Sequence, residues 1–452
     1  MIRPLPETVH GNRRMVIVRP RFRWWAIVAV GLASGTACRG QAVEEVIAVE
    51  HGPNAASQMT KPYVVLVSLD GFRYDYARRY GATHLLAIAA RGATAPDGMV
   101  PSYPTVTFPN HWTLATGLYP EHHGIVGNSF YDPARGQTYS LRDSATFRDG
   151  TWYGGTPLWV LAEQQGMRSA CLFWVGCDAA VQGMRPSYYL RYDPHFANAA
   201  RVRLILSWLA LPDAQRPHLL TMYVSDVDEA GHQFGPDAPQ TAGAVRAADQ
   251  LIGTLDSSLA ATHLPVDLIV VSDHGMANVI GDYIYLDAFA PDLASHLAKA
   301  VDRGLYAKSD SDAARIFAEL QHASDKFTVY RRAAVPEALH FSTNPRAGDP
   351  VVVATGPYAI RSLGSTSVAT RPDAGSHGWD PVVVPEVKAT FIAAGPDIRP
   401  GVQLPSFENV DLYPLVARIL GLDISHLASG PIDGHIEPVE SALVAVPATR
   451  SR

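Results

Sequence analysis

Charged residues are scarce in this chain, and clustered basic residues are scarcer still. Only 18% of the 452 residues are charged, and the formal net charge is −6. Proteins that bind a nucleic-acid duplex neutralise its phosphates with grouped lysine and arginine, and no such run follows residue 37. We therefore exclude a nucleic-acid groove and expect any bound phosphate to be held through a metal. With 47% apolar residues, the chain can build the sizeable core of a soluble globular protein.

The N-terminal apolar stretch is shorter than the roughly 20 residues that span a bilayer comfortably. Residues 24–32 are apolar, follow six arginines within residues 3–23, and precede small residues and Cys38. This pattern predicts a secretory signal over residues 1–37, with an uncleaved N-terminal anchor as the alternative. Cys38 also resembles a bacterial lipoprotein cleavage site, although Gly35 stands where that pattern prefers Leu. We expect a periplasmic protein or one anchored in a bacterial envelope through lipidated Cys38.

Cysteine is nearly absent, with three residues in the whole chain. If Cys38 is lipidated or removed, Cys171 and Cys177 remain in an oxidising compartment, where a local disulfide is one expectation. The other is two buried free thiols, because a strand over residues 172–175 would hold the cysteines too far apart.

Short apolar runs alternate with helix-like segments along most of the chain. This alternation predicts an α/β fold with a doubly wound, mostly parallel sheet and helices on both faces. The predicted buried parallel strands are residues 63–69, 169–174, 219–224, 268–271 and 389–393. The predicted helices are residues 74–91, 157–165, 197–209, 241–261 and 409–420.

The pattern becomes irregular after residue 286, which predicts a small inserted cap region. The expected organisation is a signal peptide at 1–37, a linker at 38–60, a catalytic domain at 61–286 and 361–430, a cap at 287–360, and a tail at 431–452. We expect a monomer, since no long coiled-coil pattern is present.

Acidic and imidazole side chains follow several predicted strands. Asp70 follows the first strand and Asp273-His274 follow the fourth, while Asp228 and His232 are four residues apart, a spacing that lets both reach one cation. Adjacent ligands such as Asp273 and His274 point in different directions and suit two metals better than one. Because ligands in an α/β sheet lie beyond the carboxyl ends of the strands, we expect these side chains to collect along one edge.

Six motifs together resemble the nucleotide pyrophosphatase/phosphodiesterase family of the alkaline phosphatase superfamily, over roughly residues 61–425. They occur in the family's order: Asp70-Gly, Thr107-Phe-Pro-Asn, His123-Gly-Ile-Val-Gly-Asn128, Asp228-x-x-x-His232, Ser-Asp273-His274-Gly-Met and His377-Gly-Trp-Asp. The resemblance implies an alkaline-phosphatase-like fold and hydrolysis of phosphodiester or pyrophosphate bonds in nucleotides, such as ATP to AMP and pyrophosphate.

The resemblance also implies site residues and cofactors. Two Zn²⁺ are expected, one bound by Asp228, His232 and His377, the other by Asp70, Asp273 and His274, with Thr107 adjoining the second. Thr107 is the expected nucleophile and forms a phosphothreonine intermediate. Asn128 and the Phe108 amide are expected to hold a phosphate oxygen. The aromatic side chains expected to flank a nucleotide base are those of Phe108, Tyr192 and Tyr223, with core packing the alternative for Tyr192.

The residues around Thr107 distinguish a phosphodiesterase from sulfatases and from phosphatases that act on monoesters. The Cys/Ser-x-Pro-x-Arg motif of sulfatases is absent around Thr107, and no Arg stands there to engage a dianionic monoester, so a diester is favoured. Two alternatives remain. One is a choline-headgroup phosphodiesterase of the lysophospholipase C or sphingomyelinase type, because its metal core is similar and tyrosines could also bind a quaternary ammonium. The other is a non-catalytic metal-binding surface protein.

Overall fold

The computed structural model describes residues 46–364 and 372–445. The predicted signal segment and Cys38 lie outside the described residues. The described residues belong to one compact unit. Within the described ranges, no helix combines the length and apolar character that crossing a bilayer requires.

The strands of the described chain are β1 Ile47–Ala48, β2 Tyr63–Leu69, β3 Ala93–Thr94, β4 Ser129–Asp132, β5 Gln137–Ser140, β6 Ser169–Leu172, β7 Tyr188–Leu190, β8 Leu219–Val224, β9 Val266–Val271, β10 Ala277–Asn278, β11 Ile284–Tyr285, β12 Leu297–Val301, β13 Gly304–Ala307, β14 Phe327–Tyr330, β15 Val351–Ala354, β16 Ile360–Arg361, β17 Gly375–Ser376, β18 Phe391–Ala394 and β19 Val402–Gln403. The α-helices are α1 Tyr76–Tyr80, α2 Thr83–Ala90, α3 Thr107–Thr116, α4 Pro120–His123, α5 Ser144–Phe147, α6 Leu158–Gln164, α7 Asn198–Leu209, α8 Asp226–Phe234, α9 Pro239–Ala261, α10 Leu293–His296, α11 Asp310–Leu320 and α12 Leu412–Leu420.

The main sheet has the order β1-β7-β6-β8-β2-β9-β18-β3-β19 among the described residues. Its centre, from β7 through β9, is parallel. Every residue of β2 is buried, as expected of a strand covered on both faces. One core cluster includes side chains of α3, α6 and α12, and the other includes those of α2, α7 and α9. The α/β expectation is thus confirmed.

The last predicted parallel strand, residues 389–393, is antiparallel. It corresponds to β18, which pairs with β9 in the antiparallel sense. The chain leaves the sheet after β9 and returns at the same edge, where Thr390 N donates to Ser272 Oγ at 2.8 Å. Because β18 starts beside the carboxyl end of β9, it runs along β9 in the opposite direction.

Two predicted elements are shorter or broken. The helix predicted over residues 74–91 is divided into α1 and α2 at Gly81, whose φ of 67° is left-handed. The strand predicted to reach residue 174 ends at Leu172, and Phe173 has a φ of 69°. This turn brings Cys171 and Cys177 to a Cα separation of 6.2 Å, and the two are joined by a disulfide.

A smaller module is built from residues after β9. Among the described residues, its strands pair with one another and not with the main sheet: β11 pairs with β16, β12 with β13, and β14 with β15. Side chains including Leu305, Ile316 and Phe327 form a core cluster separate from the two that cover the main sheet. The predicted limits of this cap stay a prediction.

The predicted linker and tail contain ordered contacts. Ile47–Ala48 adds β1 to the edge of the main sheet by pairing with β7. Val439 and Ala442 are buried against the core. The described parts of the two segments, residues 46–60 and 431–445, therefore contribute backbone pairing and apolar side chains to the sheet layer.

Candidate active site

The candidate ligands lie where three neighbouring parallel strands end. Asp70 directly follows β2, and Asp273 lies two residues beyond β9. Helix α8 begins two residues after β8 and supplies Asp228 and His232 one turn apart. Because β8, β2 and β9 are adjacent and parallel, their carboxyl ends meet at one edge, as the sequence predicted.

Gly71 allows the loop after β2 to approach α8. Its φ is 65°, and a Cβ at this position would lie 2.9 Å from both Cα and Cβ of Asp228. The Gly71 amide also donates to Asp273 Oδ1 at 3.3 Å. Any side chain here would push apart the loop and the helix that carry Asp70 and Asp228.

Asp70, Asp273 and His274 form one buried group. One ligand atom from each lies within 4.8 Å of the others. His274 Nε2 is 3.1 Å from Asp273 Oδ2 and 3.5 Å from Asp70 Oδ1. This is the set that the resemblance implies for one metal.

The second implied set overlaps with the first. Ligand atoms of Asp228, His274 and His377 also lie within 4.8 Å of one another, so His274 belongs to both groups. His232 Nε2 lies 3.1 Å from His377 Nε2 and 3.5 Å from Asp228 Oδ2. The six side chains form one continuous cluster, and their division into two sets of three stays a prediction.

The three histidines share one orientation. Each has Nδ1 at a backbone carbonyl: His232 at Gly375 O (3.0 Å), His274 at Gly275 O (2.9 Å) and His377 at Thr105 O (2.8 Å). Donation from Nδ1 to a carbonyl leaves Nε2 unprotonated, which is the form that binds metal. In all three residues Nε2 faces the cluster.

Three carboxylate oxygens in the cluster are buried and have no hydrogen bond from any described residue: Asp70 Oδ1, Asp228 Oδ1 and Asp273 Oδ2. Burial, together with repulsion from Asp273 and Asp228, raises the pKa of Asp70 well above its ordinary value. Burial also raises the pKa of Asp228. Burial opposes ionisation of Asp273 as well, but His274 and His111 hold the pKa of Asp273 well below its usual range. A divalent cation would bind these oxygens and offset the repulsion, so the residues fit a metal.

Thr107 lies beside this cluster at the start of α3. It is the first helical residue, and Val106 before it is extended. The Thr107 Oγ1 atom lies 3.4 Å from His274 Nε2. A helix N-terminus favours negative charge through its free amides and its dipole. The predicted nucleophile therefore stands where a phosphate would be attracted.

Asn128 and the backbone amide of Phe108 lie within hydrogen-bond distance of each other. The Phe108 amide donates to Asn128 Oδ1 at 2.9 Å. The two groups expected to hold a phosphate oxygen are bonded to each other here, so a phosphate oxygen would have to compete for the Phe108 amide.

The two tyrosines predicted to flank a base differ from each other. Tyr192 is 43% exposed, and its ring centroid is 6.1 Å from that of Tyr223. Tyr223 turns its hydroxyl inward and donates to Asp70 Oδ2 at 2.5 Å. The Tyr223 ring also lies edge-on to His111, with centroids 5.1 Å apart. The hydroxyl of Tyr223 therefore holds a candidate metal ligand, a contact that the sequence did not predict.

A cavity of about 990 Å³ opens from one side of the cluster. Its lining includes His232, His377 and Asn128. Thr107 and the predicted base-flanking aromatics Phe108, Tyr192 and Tyr223 are outside this lining. These aromatic side chains are therefore not part of the cavity wall.

Two supporting residues were missed by sequence reasoning. His111 Nδ1 lies 2.9 Å from Thr107 O and 3.3 Å from Asp273 Oδ2, so it contacts both the candidate nucleophile and a candidate ligand. Its position four residues after Thr107 on a helix was a usable signal. Thr105 orients His377 through its carbonyl, and nothing in the sequence pattern pointed to that contact.

The fold and the cluster define an alkaline-phosphatase-like class, and solved structures agree. The chain is similar to murine ectonucleotide pyrophosphatase / phosphodiesterase 5, with a TM-score of 0.77 and 29% identity, covering 84% of this chain and 100% of that one. An inactive variant of that protein has been solved in complex with AMP, and it aligns with the same TM-score of 0.77.

Sequence comparisons identify the family. Residues 64–380 match the model of Type I phosphodiesterase / nucleotide pyrophosphatase, and the chain belongs to this family. It is 34% identical to an uncharacterized pyrophosphatase/phosphodiesterase of Schizosaccharomyces pombe, covering 82% of this chain and 79% of that protein. It is 32% identical to ectonucleotide pyrophosphatase/phosphodiesterase family member 1 of Rattus norvegicus over 89% of this chain. The chain spans about half the length of that rat relative, 47%.

Proposed function

We propose that this protein hydrolyses phosphodiester and pyrophosphate bonds in nucleotides, for example ATP to AMP and pyrophosphate. One arrangement carries the proposal: Thr107 Oγ1 stands at a helix N-terminus, 3.4 Å from a histidine of a cluster with three carboxylates. Each carboxylate has one buried oxygen without a hydrogen bond from the described residues. Family membership supports the same reaction, and the AMP complex of a similar protein supports a nucleotide substrate.

We assign two Zn²⁺ to the cluster, one on Asp228, His232 and His377 and one on Asp70, Asp273 and His274. Three ligands of mixed carboxylate and imidazole type suit zinc with a position open for substrate. When bound, such ions lower the pKa of a hydroxyl or a water and offset charge on phosphoryl oxygens.

The chain's own residues then carry the reaction in two displacements. The Thr107 Oγ–phosphorus bond forms while the bond from phosphorus to the leaving oxygen breaks, which gives a phosphothreonine. The proton of the Thr107 hydroxyl passes to the leaving group or to solvent. Water attacks this phosphorus from the vacated side, so that the phosphoryl product departs and the Thr107 hydroxyl is restored. Two inversions give overall retention of configuration at phosphorus.

Asn128 favours a diester over a monoester in this proposal. Its amide is neutral, whereas a dianionic monoester is better matched by an arginine. The helix N-terminus at Thr107 adds a partial positive charge suited to a single negative charge.

The test compares three p-nitrophenyl substrates on the purified zinc-loaded protein: the ester of thymidine 5′-monophosphate, phosphorylcholine and phosphate. They share a leaving group, so the ratios of kcat/KM report recognition of the other side of the phosphorus. We expect the nucleotide diester to be preferred, with activity lost to a chelator and restored by zinc. Preference for phosphorylcholine would instead support the choline-headgroup alternative, and preference for the monoester would contradict the role given to Asn128.

Thr107→Ala distinguishes catalysis from metal binding alone. We expect loss of turnover with retained zinc content. Thr254→Ala, the same change at an exposed position of α9, is the matched control and should keep wild-type activity. Turnover that does not depend on Thr107 would contradict the proposed intermediate.

Export is part of the same proposal. The predicted signal over residues 1–37 would deliver the chain to the periplasm, free or anchored through Cys38. The disulfide between Cys171 and Cys177 supports an oxidising compartment. Cell fractionation of the wild type and of Cys38→Ser tests the anchor, and light scattering tests the expected monomer.

A further inference from the structure

The cavity beside the cluster is rich in arginine. Its charged lining contains two aspartates and four arginines: Asp302, Asp373, Arg142, Arg303, Arg346 and Arg361. Arg346 is already committed, because Nε donates to Asp132 Oδ2 at 2.9 Å and Nη1 donates to two backbone carbonyls. The positive charge available to a ligand therefore comes from the other three arginines.

Among these three arginines, Arg303 has the side chain whose position is best fixed by its contacts. Asp302 and Arg303 form the two-residue turn between β12 and β13, and Ser362 fixes that turn by donating twice to Asp302 O, at 3.0 and 2.8 Å. Arg303 Nη1 donates to Gly378 O at 2.7 Å, and its guanidinium lies 5.4 Å from the ring centroid of Tyr103. The side chain is thus held in one place by contacts at both ends.

Most donors of Arg303 have no acceptor among the described residues. A guanidinium has five N–H groups, and Nη1 supplies the one side-chain hydrogen bond described for this residue. In residues 46–364 and 372–445, no carboxylate forms a salt bridge with Arg303. A fixed, half-buried cation with no anionic partner among the described residues favours binding of an external anion.

Arg303 also stands close to the reacting groups. A Cβ built on Gly378 would lie 3.7 Å from both Nη1 and Nη2 of Arg303 and 3.2 Å from Cγ1 of Val106. Gly378 follows His377, and Val106 precedes Thr107. The guanidinium therefore borders the two segments that carry the candidate nucleophile and a candidate ligand.

Arg361 adds a second cation on the same wall. Its guanidinium lies 5.1 Å from the ring centroid of Tyr283, and Nη1 is 3.6 Å from Asp302 Oδ1. Both groups of this ion pair are at least a third exposed, so it holds Arg361 only weakly. Arg361 has no hydrogen bond to Gly378 among those described.

The geometry of in-line displacement indicates which part of a substrate would lie in the cavity beside Arg303 and Arg361. The leaving group departs from the side of phosphorus opposite Thr107. Thr107 lies outside the cavity lining, whereas His232 and His377 lie within it. Val106, next to Thr107, also lines the cavity, so the departing group would occupy the part of the cavity that His232 and His377 line.

We infer that this cavity binds the leaving group, and that Arg303, assisted by Arg361, selects a leaving group that carries phosphate. The ligand class is a pyrophosphate or a phosphorylated nucleoside. The inference rests on the proposed function, and it assigns to the inserted module a role in choosing which bond of a nucleotide is cleaved.

The test compares two substrates with the same AMP portion, ATP and the p-nitrophenyl ester of AMP. Their leaving groups are pyrophosphate and p-nitrophenolate, so a residue that binds leaving-group phosphate affects only the first. For Arg303→Gln we expect kcat/KM on ATP to fall by about 10- to 100-fold, as for loss of hydrogen bonds to a charged group. On the p-nitrophenyl ester the change should stay within about threefold. Arg303→Lys, which keeps the charge, should lose less.

Arg361→Gln is the second variant, and Arg315→Gln is the matched control. Arg315 is an exposed arginine of α11 in the same module and outside the cavity lining.

Loss of the Arg303 side chain also removes its hydrogen bond to Gly378, and this loss could lower activity on both substrates alike. In that case Arg361→Gln is the deciding variant. A selective loss on ATP in Arg361→Gln supports the inference, and an equal loss or none overturns it. A wild-type protein that cleaves neither substrate overturns the proposed function and this inference with it, whereas cleavage of both without selectivity in the variants overturns the inference alone.

Discussion

The Tyr223 hydroxyl donates a 2.5 Å hydrogen bond to Asp70 Oδ2, while Asp70 Oδ1 is buried with no hydrogen bond from the described residues. One oxygen of this carboxylate is thereby fixed, and the other is left facing the cluster. Outer contacts of this kind orient a metal ligand, and their loss commonly weakens metal binding by about 10- to 100-fold. Tyr223 thus orients a candidate metal ligand, whether or not its ring also contacts a substrate.

Tyr223→Phe separates these two roles because it removes the hydroxyl and keeps the ring. We expect zinc affinity to fall by about 10-fold or more, measured by competition with a chelator, while KM for a nucleotide diester at saturating zinc stays near the wild-type value. Tyr188→Phe, which removes a hydroxyl on a different strand, is the control. Unchanged zinc affinity together with a raised KM would assign Tyr223 to substrate binding alone.

His377 lies in a glycine-flanked loop, where a histidine is ordinarily a solvated side chain. Here it is held by Thr105 O and stacks on His274 with ring centroids 3.6 Å apart. If His377 is a metal ligand, its replacement by alanine should lower kcat/KM by more than about 100-fold. His426→Ala is the control, because that side chain is 89% exposed. Activity of His377→Ala within a few fold of wild type would make His377 structural.

The sequence predicts the limits of buried strands well, because each such strand is a continuous apolar run. Strands β2 and β8 have the predicted limits, because continuous apolar runs bounded by polar residues specify buried strands. The rule that parallel strands end at one edge of the sheet placed Asp70 and Asp273 at the same edge, and their role as metal ligands stays a prediction. The antiparallel sense of β18 was not predictable, because it depends on where the chain returns after a long insertion.

Contacts between distant segments were the other failure. Tyr223 and Asp70 are 153 residues apart, and Arg303 and Gly378 are 75 apart. An aromatic residue in a strand gives no indication of where its hydroxyl points, and an arginine in a hairpin turn is ordinarily solvated. Only the packing of the inserted module against the site turns Arg303 into a candidate ligand-binding residue.

Gly71→Ala tests the close approach of the β2 loop to α8. Its added Cβ meets Asp228 at 2.9 Å, and Gly81, with a φ of 67°, has nothing within 4 Å of the equivalent position. Both substitutions carry the cost of a left-handed conformation, roughly 1 kcal/mol. We expect Gly81→Ala to lower the free energy of unfolding by about that amount without changing zinc affinity. Gly71→Ala should lower both quantities further, as measured by chemical denaturation and chelator competition, and equal effects of the two would contradict the packing argument.

Asp267 predicts a pH dependence of stability away from the active site. Burial, together with repulsion from Asp397, raises the pKa of Asp267 to about 7, although the Asp397 amide donates to Asp267 Oδ1 at 3.0 Å and opposes the shift. Since the unfolded pKa is near 3.8, the folded protein keeps a proton between pH 4 and 7 that the unfolded chain releases. Stability from this group is therefore complete below pH 4 and declines as pH rises to 7, by up to about 1.4 kcal/mol per pKa unit. In Asp267→Asn, which keeps an acceptor for the amide and cannot ionise, the decline should flatten, and the variant should gain on the wild type as pH rises. Urea denaturation at pH 4.5, 6 and 7.5 measures this difference, and parallel curves for the two proteins would show that Asp267 does not titrate in this range.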